Sequence, residues 1–162
     1  MTGRRAARRT PRRSRERAAR YASSPPGPVV VDASVAVLWF VNEPDRWGAR
    51  RLLDEELPLL APDLMAVEVV NALWKKLRRR EMELADVEQA VTSVLGLGIL
   101  WTSSPTLLRP AVRLAAEIGH PVYDCLYLAL AAASSALLAT ADDRPRRGAE
   151  RLGVRIWSRP GA

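Results

Sequence analysis

This chain is poor in the residues that most often do chemistry on their own. Cys125 is its only cysteine and His120 its only histidine. A single thiol excludes a disulfide framework and a cysteine-based zinc site, and it fits a reducing cytosol. With one histidine, no Ser–His–Asp or Cys–His nucleophile system is readable. Long apolar runs are missing too. VVVDASVAVLWFV is too short to span a bilayer and contains Asp32. GPVVVDASV follows basic residues but lacks the small-residue cleavage pattern of a secretory signal. The expectation is a cytoplasmic protein without a membrane segment.

Large apolar residues are almost absent from the first 28 positions, and charge is concentrated there. Residues 1–28 hold nine Arg against one Glu, a net charge of +8. Residues 29–162 hold 16 Lys and Arg against 17 Asp and Glu, a net charge of −1. A segment so basic, ending in Ser, Pro and Gly, cannot bury a core and is expected to be disordered. It reads as a nucleic-acid contact arm, or as a solvated passenger, or as a start assigned too far upstream. Residues 29–157 form the expected folded domain, and 158–162 a short C-terminal tail.

What is present from Val29 onward is an alternation of short strands and longer helical stretches. VVVD is a β-branched run that predicts a buried strand, with Ser34 placed to cap a helix from about Val35. A helix is expected from Pro44 through Leu53, and LPLLAP is a second strand. Pro62 is expected to open a helix to about Arg80, with Leu64, Val67, Ala72, Leu73 and Leu77 near helical spacing. Met65, Val69 and Trp74 then add more apolar surface than one face buries. Leu84–Leu97, Thr106–Ile118 and Val122–Ser134 predict helices, and a further one lies near Arg144–Leu152. Ile99–Trp101, ALLATAD and VRIW predict strands. Such alternation means an α/β fold with a mostly parallel sheet.

Four carboxylates abut these apolar segments: Asp32, Glu68, Asp124 and Asp142. A buried charge without a partner is costly, so four at strand ends or early helical turns point to one shared pocket. Strands of an open parallel sheet present their carboxyl ends to ligands, which is where Asp32 and Asp142 fall. Glu68 and Asp124 lie within the first two turns of their helices. A hard divalent cation such as Mg²⁺ would hold such oxygen donors together.

In this order and spacing, VVVDASV, PDLMAVEVVNAL, HPVYDCLYLALA and LLATADDR resemble a PIN domain, and most of all the VapC toxins of bacterial toxin–antitoxin pairs. The resemblance covers about residues 29–157. It implies a three-layer α/β/α fold and a ribonuclease dependent on Mg²⁺ or Mn²⁺. It also implies a homodimer held inactive by a cognate antitoxin. Carried onto this sequence, the acidic quartet is Asp32, Glu68, Asp124 and Asp142: Asp32 and Asp124 as direct metal ligands, Glu68 as a ligand or as the residue that orients the attacking water, and Asp142 binding the metal directly or through water. Ser34 matches the hydroxyl residue two places after the first acid, and Asn71 the polar residue three places after the glutamate; both are expected to support the ligands.

Each residue has a plainer reading. Asp32 or Asp124 could cap a helix, Glu68 could face solvent, and Asp143 rivals Asp142. His120 reads as a loop or packing residue, Cys125 as core, and the tryptophans as core or interface anchors. The run Lys75–Arg80 could track phosphates, or complement its helix dipole. A haloacid-dehalogenase-like phosphatase would want a second aspartate where Ser34 stands. A catalytically silent PIN-like module that binds RNA or protein has no need of four converging carboxylates.

Overall fold

The computed structural model describes residues 27–44 and 46–158, without the side chains of Arg46 and Trp47. The expected basic tail and the C-terminal tail lie almost wholly outside these residues.

Four parallel strands form the sheet: β1 (Val29–Val31), β2 (Leu59–Pro62), β3 (Leu100–Thr102) and β4 (Leu137–Ala139). All three residues of β1 are buried, as expected of a β-branched strand covered on both faces. The helices are α1 (Ala33–Val37), α2 (Arg46–Asp54), α3 (Leu64–Arg78), α4 (Leu84–Gly96), α5 (Ser104–Ile118), α6 (Val122–Ala133) and α7 (Asp143–Leu152). Parallel neighbours need a crossover, and these helices supply it. No helix among the described residues is long and apolar enough to cross a membrane.

The strand order is β3-β2-β1-β4. The chain therefore walks outward from β1 to β3, then returns to lay β4 on the other side of β1. Right-handed crossovers put the helices of these two legs on opposite faces, giving three layers. The order reverses between β1 and β4, the kind of junction where open α/β sheets bind ligands. There Val31 pairs with Ala139, so both strands end level.

Every residue from Cys125 to Ala131 on α6 is buried. A helix apolar all round must be covered on all sides. It packs against β1, β2 and β4 on one side and against α5 on another.

Several boundaries differ from the sequence reading. Ser34 lies inside α1, and Asp32 occupies the position that flanks the helix. The helix expected at Pro44 begins at Arg46, and Pro62 closes β2 instead of opening α3. The expected last strand, VRIW, shrinks to one parallel bridge from Ile156 to Leu138. On α3 the buried stripe is Met65, Val69 and Leu73, while Val67 and Trp74 are exposed. Both stripes have helical spacing, and packing against β2 and the neighbouring helices decides which one turns inward.

Candidate active site

The site grows from the ends of β1 and β4. The Asp32 backbone N–H donates to the Ala139 carbonyl at 2.9 Å, extending the ladder one residue past β1. This carries the Asp32 carboxylate into a buried position. Its Oδ2 accepts from the Thr140 hydroxyl at 2.6 Å and from the Ser34 hydroxyl at 2.9 Å. Each hydroxyl is itself engaged: Ala141 N–H donates to Ser34 Oγ at 3.0 Å, and Asp142 N–H to Thr140 Oγ1 at 3.1 Å. Burial holds the Asp32 carboxyl above the ordinary carboxylate range, the two hydroxyls oppose that, and the Asp142 charge adds to it.

Glu68 reaches the same rim from the second turn of α3 and accepts a hydrogen bond from the Tyr127 hydroxyl on α6. Burial raises its carboxyl, and the charges of Asp32, Asp124 and Asp142 raise it further. Burial and the Glu68 charge push the Tyr127 phenol far up, so it stays a donor. Asp124, in the first turn of α6, is also raised chiefly by burial. Arg144 opposes this, its Nη1 lying 3.9 Å from Asp124 Oδ2. Asp142 precedes α7 in extended conformation and makes no capping bond with its side chain. Its carboxylate is exposed and not used by the helix.

The structure thus brings the four predicted acids into one electrostatic unit. The charge of Asp142 acts on each of the other three. As they stand, no three acidic, histidine or cysteine groups among the described residues are set to grip a metal ion. Asp32, Glu68 and Asp124 each face a protein group instead: Thr140 and Ser34, Tyr127, and Arg144 respectively. The donors are all oxygens, and the charges repel one another. A hard divalent cation suits such a set and relieves the repulsion.

Ser34 touches Asp32 as expected. Asn71 is exposed and lines an apolar groove with Val67, Val70 and Trp74. Sequence reasoning missed Thr140 and Tyr127 as site residues. Thr140 follows β4 level with Asp32, a pairing visible only once the strands are registered. Tyr127 stands one helical turn after Asp124, the one hint the sequence offers. A fifth rim acid, Asp63, is taken by the fold. It accepts from the Ser104 N–H at 2.9 Å and from the Ser104 hydroxyl, closing the start of α5, and these bonds hold its carboxyl low.

The plainer readings hold elsewhere. Cys125 is buried, and its thiol is pushed up to about 11. His120 sits in the α5–α6 loop with its Nδ1 buried and lacking a hydrogen bond, close to Gly148. Trp39 is core, its N–H bonded to the Ala49 carbonyl, whereas Trp74 is exposed beneath Arg78. Lys76 pairs with Glu43 and Glu81, so part of the Lys75–Arg80 run neutralises neighbouring acids.

A family model of the PIN domain matches residues 29–151. Ribonuclease VapC3 of Pyrobaculum aerophilum is 34% identical over 117 residues, covering 70% of this chain and 88% of that protein. The crystal structure of PAE2754 from Pyrobaculum aerophilum aligns with a TM-score of 0.62 at 24% identity, over 75% of this chain and 79% of that one, a likeness of fold. Sequence motifs, sheet order and these matches agree: the chain belongs to the PIN-domain family, as a VapC-type member.

Proposed function

We propose that this protein is a divalent-metal-dependent ribonuclease, the toxin of a type II toxin–antitoxin pair. The observation that carries this reading is the meeting of Asp32, Glu68, Asp124 and Asp142 at the switch point of the sheet, where burial, with the charges of neighbouring acids added to it, raises the carboxyls of Asp32, Glu68 and Asp124. The matched relative is itself named a ribonuclease.

In this reading Asp32, Glu68, Asp124 and Asp142 would hold Mg²⁺ or Mn²⁺. The bound ion supplies charge neutralisation on the phosphodiester and a lowered pKa for water. The residues of the chain set the stage. Thr140 and Ser34 both bond Oδ2 of Asp32 and so fix its rotamer. Tyr127 does the same for Glu68, which is placed to bind the ion or to orient the attacking water. Arg144, 3.9 Å from Asp124, would compete with an ion for that carboxylate.

RNA is the substrate class, the cytoplasm the place of action, and a cognate antitoxin and a second copy are the protein partners. Val67, Trp74 and Leu95 leave an exposed apolar strip between α3 and α4 that suits such partners.

Cleavage of a labelled total RNA pool tests the reading. Wild-type protein is expected to cut it with Mg²⁺ or Mn²⁺ and not in EDTA. Asp32→Asn and Asp124→Asn are expected to lose at least about 100-fold in rate with an unchanged circular dichroism spectrum. Wild-type cleavage by either variant would refute the assignment. Undiminished RNA binding without any cleavage would favour the silent module.

A further inference from the structure

Gly148 sits inside α7 without a positive φ, so no turn requires a glycine there. Glycine weakens a helix interior relative to alanine. The reason for it lies outside the helix. A Cβ at position 148 would come within 3.0 Å of Leu128 Cδ1 and 3.1 Å of Ile118 Cδ1, with His120 Cε1 at 3.6 Å. At every other glycine among the described residues a Cβ would meet nothing within 4 Å. Leu128 and Ile118 are buried, so their tips have little room to turn aside. The inward face of α7, Pro145, Gly148 and Ala149, carries no long side chain, and the helix can lie close to its neighbours.

The contact has a register. Leu128 stands one turn after Asp124 on α6, and Gly148 one turn after Arg144 on α7. Arg144 Nη1 in turn lies 3.9 Å from Asp124 Oδ2. Two contacts one turn apart on both helices mean that α6 and α7 run side by side in the same direction. The second helix is also pinned at both ends. Arg146 donates to the Thr140 carbonyl at 3.4 Å, and Arg151 to the Ile118 carbonyl at 2.8 Å. Asp142 precedes its first residue and is bonded through its N–H to Thr140. A helix tied in this way cannot slide past added bulk. The bulk must instead widen the gap that α7 shares with α6, and Asp124 and Asp142 line the near end of that gap.

We propose that Gly148 is a positioning residue: its missing side chain sets the separation of α6 and α7, and with it the distance between the Asp124 and Asp142 carboxylates that hold the metal. Leu128 and Ile118 are the opposing faces of this gauge. The inference rests on the ribonuclease reading above and adds to it a residue outside the acid cluster.

The test uses the full chain. Calorimetric titration with Mn²⁺ compares wild type, Gly148→Ala, the pair Leu128→Val with Ile118→Val, and the triple variant. Valine has no δ carbon, so the pair removes both atoms that an alanine at 148 would crowd. Gly148→Ala is expected to bind Mn²⁺ about tenfold more weakly, the size of a lost supporting contact at a metal site. The triple variant is expected to match the affinity of the valine pair to within about twofold, because the coupled contacts are gone. Thermal unfolding separates this from packing alone. The triple variant is expected to melt below wild type although its affinity returns, since each valine removes buried carbon. Unchanged affinity in Gly148→Ala, a loss that the valines do not rescue, or an affinity that simply follows the melting temperature would overturn the proposal. If Gly148→Ala does not fold by circular dichroism, it is made in the Ile118→Val background, where the 3.0 Å approach to Leu128 remains and the weakening is still expected. RNA cleavage keeps the two readings apart. Wild-type cleavage with unaltered Mn²⁺ binding in Gly148→Ala would discard the positioning role and keep the nuclease. Loss and rescue of Mn²⁺ binding without any wild-type cleavage would discard the nuclease and keep the positioning role. Wild-type protein that binds no Mn²⁺ would discard both.

Discussion

Asp142 and Asp143 are neighbours lining one cleft, yet they occupy different environments. Asp142 has extended backbone and no capping duty, and its charge acts on Asp32, Glu68 and Asp124. Asp143 is the first residue of α7, where a negative charge complements the helix dipole. It also stands four residues before Arg147, at the spacing of a helical ion pair. Asp142→Ala is therefore expected to weaken Mn²⁺ binding at least tenfold by calorimetry and to lower cleavage with it. Asp143→Ala is expected to cost at most about 1 kcal/mol in thermal unfolding and to leave Mn²⁺ binding intact. If Asp143→Ala is the variant that loses the ion, the register drawn at the end of β4 is off by one residue. The four acids were legible in the sequence because a carboxylate ending an apolar run has few benign explanations. Thr140 and Tyr127 were not legible. A threonine after a strand and a tyrosine in a buried helix are ordinary, and only the fold reveals that their hydroxyls meet Asp32 and Glu68.

At the scale of elements, strand–helix alternation gave the class, and the β-branched run of β1 marked the centre of the sheet. The orientation of α3 was not readable. Its apolar residues outnumber the positions of one face, so Met65–Val69–Leu73 and Val67–Trp74 compete for the core, and contact with β2 and neighbouring helices settles it. The losing stripe stays outside. Val67 is 64% and Leu95 60% exposed, flanking a groove shared by α3 and α4. Surface of this kind favours association. Multi-angle light scattering at micromolar concentration is expected to give the mass of a dimer, and Val67→Lys or Trp74→Glu to shift it toward the monomer. A monodisperse wild-type monomer would remove the homodimer. VRIW failed as a strand for a different reason. Gly153 turns in the left-handed region just before it, and only Ile156 comes level with β4.

For the whole molecule, the buried and crowded acids set the dependence of stability on pH. Asp32, Glu68 and Asp124 all have raised carboxyl pKa values in the folded state. Between the unfolded values and these raised ones, the folded chain binds more protons than the unfolded chain. Stability then falls as pH rises through that window. Asp63 works in the opposite sense, but it is exposed and contributes little. The melting temperature in EDTA is thus expected to fall from pH 5 to neutrality. With saturating Mn²⁺ the trend is expected to shrink or reverse, since the ion binds the deprotonated carboxylates. A flat or rising profile in EDTA would show that these carboxyls are not raised in the folded chain.

The hydroxyl of Thr140 links Asp32 on one strand to the backbone of Asp142 beyond its neighbour. Adjacent strands stand about 4.8 Å apart, a spacing that side-chain changes hardly alter. This half of the site is a fixed ruler. The other half, Glu68 and Asp124, rides on two helices whose positions depend on packing. Tuning toward a smaller or larger ion would therefore have to come through the helices. In a metal-dependent enzyme of this build, ion preference would be set by the packing of α3 and α6 and not by the strand ends.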